Sequence, residues 1–170
     1  MRLRYRPIDL ARDRGFLLEL HCLSNYESEA EWARGVPFEQ YRTEWLATPQ
    51  PEQYLSALAR SLEVERTLAE VCESGGAAVG YLWVTFADVP EYGQVIAEVS
   101  DIALAPEHQR RGLGQRMLAH AEAEARRRGA TLLRSETGAA NVGSQRLHAK
   151  RGFRVYRLGF EKVLGERPGE

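Results

Sequence analysis

Polar and apolar residues alternate at the start of the chain, with Leu3 and Tyr5 on one face. That period predicts a half-buried strand, which Pro7 ends. Phe16, Leu17, Leu20 and Leu23 then recur on one side of a helix that Asp9 or Asp13 can cap. Residues 24–37, with Gly35 and Pro37, read as a loop or broken helix. Phe38, Tyr41 and Trp45 return to helical spacing, and beyond Pro49 and Pro51 the set Leu55, Leu58, Ala59 and Leu62 marks another helix.

From residue 67 the period changes. Residues 67–73 and 77–86 predict two antiparallel strands joined by the tight turn Ser74-Gly75-Gly76. A connection over 88–93 leads into a strand over 94–104. The next helix carries the apolar stripe Leu113, Met117, Leu118, Ala121 and Ala125. Arg126, Arg127 and Arg128 end it before Gly129, suiting the negative pole of its dipole. A fifth strand over 131–137 and a short helix over 141–150, stopped at Gly152, follow. Two β-prone apolar runs, 153–158 and 159–164, predict a closing pair of strands. The order defines an α/β (α+β) fold with a mixed, mostly antiparallel central sheet flanked by helices.

Composition narrows the setting. A chain of 170 residues, 44% hydrophobic and 28% charged, fits one soluble domain with a real core. A formal charge of -1 gives no ground for a nucleic-acid or membrane partner. Cys22 and Cys72 form neither a disulfide framework nor a metal-ligand spacing. With no apolar signal region at the N-terminus, the expected setting is the cytoplasm. Residues 165–170 read as a disordered tail.

The chemistry concentrates in Gln109-Arg110-Arg111-Gly112-Leu113-Gly114, between an apolar strand and a helix. The first turn of a helix presents unpaired N–H groups, and its dipole favours an anion there. Gly112 and Gly114 permit close approach, and Arg110 and Arg111 add positive charge. The loop predicts a diphosphate site; an ordinary strand-to-helix turn with a basic edge would have the same letters. GxxxxGK[ST] does not occur, and Met117 stands where a dinucleotide fingerprint needs its third glycine.

This loop resembles the Q/R-x-x-G-x-G/A motif of the GCN5-related N-acetyltransferases, and residues 101–106 resemble the end of that family's fourth strand. Farther on, Asn141, Ser144, His148, Gly152 and Phe153 fall on its second motif, roughly N-x-x-A/S-x-x-x-Y-x-x-x-G-F. The resemblance covers about residues 93–158 and implies one acetyltransferase domain over 1–170, with a cofactor-binding core there and acceptor-side helices over about 9–63. It implies a sheet splayed between strands 4 and 5, with acetyl-coenzyme A as donor and no metal. A small-molecule or peptide amine would be the acceptor, and a homodimer is a possible assembly. Ile102, Ala103 and Leu104 would offer backbone groups to the pantetheine arm, with Asn141 and Ser144 facing it.

Thioester aminolysis calls for a proton acceptor at the amine, a donor to the oxyanion and a proton for the leaving thiolate. The resemblance points to Glu98 as base, with Asp101 and Glu136 as other candidates, and to the N–H of Ala103 or Leu104 for the oxyanion. Strand alternation sets Glu98 and Ser100 on one face and Asp101 on the other. His148 stands where the family carries tyrosine; it either takes the acid role or merely packs, leaving Tyr156 or solvent. Lys150 and Arg151 suit either the 3′-phosphate or solvent. Tyr26, Trp32, Tyr41 and Trp45 are candidates for the acceptor pocket, and Glu27, Glu29 and Glu31 for attracting a cation. No cysteine occupies a motif position, so direct transfer in a ternary complex is expected. Two alternatives stay open: a non-catalytic coenzyme A-binding module of this fold, and a transferase using a longer acyl group or a hydroxyl acceptor.

Overall fold

The computed structural model describes residues 3–28, 35–64, 66–162 and 164. Trp32, Glu29, Glu31 and the expected tail over 165–170 lie outside the described residues. The elements run β1 (Leu3–Pro7), α1 (Leu10–Ser28), α2 (Phe38–Leu46), α3 (Gln50–Leu62), β2 (Leu68–Ser74) and β3 (Ala77–Val89). They continue with β4 (Gln94–Leu104), α4 (Leu113–Arg127), β5 (Leu132–Ser135) and α5 (Val142–Lys150). Helix α1 thus continues five residues beyond the predicted end at Leu23.

Among the described residues the strands form one sheet in chain order, antiparallel from β1 to β4 and parallel between β4 and β5. Gly75 and Gly76 both adopt positive φ (62° and 86°), as a tight hairpin of matching twist demands. Helices α1 and α3 cover one sheet face, where Leu17, Leu20 and Leu58 meet Val71 and Tyr81. Helix α4 covers the other, where Met117, Leu118 and Ala121 meet Leu82, Val84 and Val99. Burying apolar stripes on both faces is the main stabilising term. No helix among the described residues is long and apolar enough to cross a membrane.

Asp9 caps α1: its Oδ1 accepts from the N–H groups of Ala11 and Arg12 at 3.0 and 3.2 Å. Asp9→Ala should cost about 1 kcal/mol of stability, read as a lower urea midpoint with unchanged slope. Asp13 instead joins α1 to β1 through Arg6.

Two expectations are corrected. Residues 153–162 form no strands, and Val155, Leu158 and Phe160 are exposed. Strand propensity is a fit to a pleated, half-buried surface, and these side chains have no such surface to cover. The second correction concerns β4. Asp101 lies opposite Trp83 but Val99 lies opposite Val84, so Ser100 is an extra residue, a β-bulge. Ala97 and Val99 face α4 before it, and Ile102 and Leu104 face α4 after it. The bulge inverts the alternation and returns Asp101 to the face of Glu98.

Candidate active site

Strand β5 pairs with β4 only from Ile96–Leu132 to Val99–Ser135. Beyond that point β4 continues unpaired on this side, and a cleft of about 1100 Å³ opens between its last residues, the end of α1 and the start of α5. The volume suits a large ligand. The cleft is therefore a consequence of register: one strand runs on where its neighbour stops.

Gln109, Arg110, Gly112 and Gly114 line one end of the cleft. Gly112 is the N-cap of α4 with φ 76°, a left-handed conformation, and no side chain caps the helix. Arg110 is also left-handed (φ 56°), a strained state for a residue with a Cβ. The Gln109 side chain donates to the Leu104 carbonyl at 3.1 Å, tying the loop to β4. A fifteen-residue helix thus presents first-turn N–H groups without a side-chain cap at this end of the cleft, an arrangement that favours an anion. Of the other loop residues, Leu113 is buried in the core and Arg111 is exposed outside the cleft lining.

Ile102, Ala103 and Leu104 line one wall, and Asn141 and Ser144 line the other. Asn141 caps α5, its Oδ1 accepting from the Ser144 N–H at 2.9 Å. Gly138 lies so close to α1 that an added Cβ would fall 1.7 Å from the Ser28 carbonyl oxygen. Only glycine lets the β5–α5 loop close against that helix.

The expected acid–base residues divide. Glu98 is exposed and outside the cleft lining, whereas Asp101 and Glu136 line it. His148 stands just behind the wall. Its Nδ1–H donates to the Ser144 carbonyl at 2.8 Å, so Nε2 accepts from the hydroxyl of Ser135 at 2.8 Å. Ser135 itself lines the cleft. Lys150 also lines it, but Arg151 is engaged by Glu122 through two hydrogen bonds. Tyr156 is half exposed beneath Arg134 and away from the lining.

At the other end of the cleft is an arrangement the sequence did not disclose. His21 of α1 donates through Nδ1 to Asp101 Oδ2 at 2.7 Å, across 80 positions of the chain. Tyr81 donates to the same carboxylate oxygen at 2.5 Å. Burial, and then the charge of Asp101, push the Tyr81 and Tyr54 phenols well above their ordinary range, so both keep their protons. The His21 ring stacks on Tyr54 (centroids 3.8 Å apart) and leans on Trp45. Trp45 and Tyr26 serve the helix packing instead of lining the cleft, and Tyr41 packs on Tyr26; Glu27 does line it. The only sequence signal for His21 was a histidine amid an apolar helical stripe. No group of His, Cys, Asp or Glu among the described residues is placed to hold a metal ion.

A mixed sheet that parts beyond the β4–β5 pairing, with an uncapped helix start at the mouth of the gap, defines the fold class shared by the GNAT acetyltransferases. Residues 26–153 match the model described as the Acetyltransferase (GNAT) family, and the chain belongs to that family. No curated protein matches it. Among solved structures it is similar to a transcriptional regulator from Bacillus halodurans C-125 (18% identity, 96% of this chain, 100% of the other, TM-score 0.68). It is also similar to an aminoglycoside acetyltransferase from an uncultured soil metagenomic sample (19%, 97% and 100%, TM-score 0.64). A third is a ribosomal-protein-alanine N-acetyltransferase from Brucella melitensis biovar Abortus 2308 (13%, 96% and 100%, TM-score 0.63). At these identities the likeness concerns the fold.

Proposed function

We propose that this protein transfers an acetyl group from acetyl-coenzyme A to an amine by direct attack in a ternary complex. The observation that carries the reading is the uncapped start of α4, with left-handed Gly112, at the mouth of a cleft that runs along the unpaired end of β4. When bound, acetyl-coenzyme A supplies an activated thioester. The residues present fit it: α4 N–H groups hold the diphosphate, and Arg110 adds charge. The free edge of Ile102, Ala103 and Leu104 offers backbone hydrogen bonds to an amide-bearing arm, and Asn141 and Ser144 close the opposite wall. A backbone N–H at Ala103 or Leu104 is the donor for the developing oxyanion.

Ser135 and His148 hold a proton on the far wall. A neutral His148 draws the Ser135 proton toward itself; a protonated one donates to Ser135 Oγ and frees that O–H for the leaving sulfur. His148→Ala should therefore lower turnover about tenfold or more, as loss of acid–base assistance does, while coenzyme A affinity stays within twofold. Unchanged turnover would leave solvent as the proton source.

The test of the function is calorimetry with coenzyme A, followed by thiol release from acetyl-coenzyme A with spermidine, kanamycin and an alanine-terminated peptide as acceptors. Binding with transfer supports the reading. Binding without transfer to any amine marks a coenzyme A-binding module, and no binding removes the assignment. Longer acyl donors compared with acetyl define the donor range.

A further inference from the structure

The cleft has a second polar centre opposite the diphosphate loop, and its geometry is that of an oriented base. His21 and Asp101 both line the cleft, and their side chains are largely buried, at 21% and 9% exposure. The Nδ1–H to Asp101 bond fixes the tautomer and leaves the Nε2 lone pair outward. Asn25, one turn on, donates to that lone pair at 3.2 Å and occupies the place that an acceptor N–H would take. Asn25 also lines the cleft. Asp101 is held by Tyr81, and the ring is held flat by Tyr54. Both side chains of the pair are thus locked by packing and hydrogen bonds.

We propose that His21 Nε2 is the general base for the amine acceptor and that Asp101 is the positioning residue behind it. The proposal rests on the reading of the cleft as a site of acetyl transfer, and it names a base that the family motifs do not contain. An ammonium acceptor first loses one proton to solvent. The neutral amine then attacks the thioester carbon, the N–C bond forms, and the proton made acidic on that nitrogen passes to His21 Nε2. The C–S bond breaks, the sulfur takes the Ser135 O–H proton, which His148 resupplies and regains from solvent, and His21 returns its own proton to solvent. The Ser100 bulge is what makes this possible, because it turns Asp101 toward α1.

Facing the ring are Asp101 from β4, Tyr54 from α3 and the uncharged indole of Trp45 from α2. Tyr81 from β3 acts through Asp101, and Glu136 across the cleft pairs with Arg157. The experiment compares wild type, His21→Gln, Asp101→Asn and Glu98→Gln as full chains. Coenzyme A affinity is read by calorimetry, transfer to the best amine of the panel by thiol release from pH 5.5 to 9, and acetyl-coenzyme A hydrolysis without amine. For His21→Gln the expected result is a loss of about 100-fold in kcat/KM, a flattened acid limb of the pH profile, slower hydrolysis and unchanged coenzyme A affinity. Asp101→Asn should move the acid limb and lower kcat more than it raises KM, which a purely structural role would not do.

If His21→Gln stays within twofold of wild type at every pH, or Glu98→Gln alone removes the limb, the base assignment fails while the transfer reading stands. If wild type binds coenzyme A yet neither acetylates an amine nor hydrolyses the thioester, the transfer reading fails and takes the base with it.

Discussion

Gly112→Asp should fold normally and lose coenzyme A. Aspartate is among the side chains that tolerate the left-handed region, so the backbone strain at φ 76° stays small, and its carboxylate stands beside the first-turn N–H groups of α4. Those are the groups that the proposed function assigns to the diphosphate. The carboxylate both occupies them and sets a negative charge against phosphate, a juxtaposition that costs several kcal/mol. Affinity should fall by about 1,000-fold, equivalent to about 4 kcal/mol, with the thermal midpoint within a few degrees of wild type. Gly112→Asn separates the two causes: a neutral cap competes without repelling and should cost clearly less. Wild-type affinity in Gly112→Asp would place the anion elsewhere and remove the foundation of the functional reading.

Asp13→Ala should clearly destabilise the fold. Asp13 is almost fully buried, and it accepts from Arg6 Nη1 and Nη2 at 2.7 and 2.8 Å and from the Asp9 N–H at 2.9 Å. Removing it strands a largely buried guanidinium whose remaining partners are Glu73 and the Pro7 carbonyl. With Glu73 still compensating the charge, losing the hydrogen bonds to Asp13 costs about 2–3 kcal/mol, visible as a lower urea midpoint. The Arg6 guanidinium holds the Asp13 carboxyl below its ordinary range. A depressed folded value means the pair stabilises fully above the unfolded value of about pH 4 and is lost as pH falls through the lower folded one. The variant should accordingly show a shallower loss of stability on acidification than wild type. Because Asp13 anchors the helix that carries His21, Asp13→Asn should also blunt transfer while leaving coenzyme A binding intact.

Parts of the site were legible in the letters because they are local. The loop from Gln109 to Gly114 needs only glycine, charge and a following helix, and Asn141 with Ser144 needs only a helix start. Gln109, Arg110, Gly112 and Gly114 line the cleft, as do Asn141 and Ser144, and Asn141 caps α5. Glu98 was carried by the family resemblance, and the strand register that leaves it exposed outside the cleft lining depends on β3 and β5. His148 was placed correctly on α5, but which of its nitrogens holds a proton depends on Ser135 of a different strand.

The sequence by itself determined the element order as far as α5 and the buried face of α4. The α4 stripe is the buried set of that helix, residue for residue, and the glycine pair set the β2–β3 turn. These follow from backbone periods of 3.6 and 2, which any window of the chain contains. The tertiary structure decided three things. It inserted the Ser100 bulge, joined His21 to Asp101 across 80 positions, and left residues 153–162 without a ladder. Each depends on what a distant strand or helix presents as a partner, and no local period encodes that.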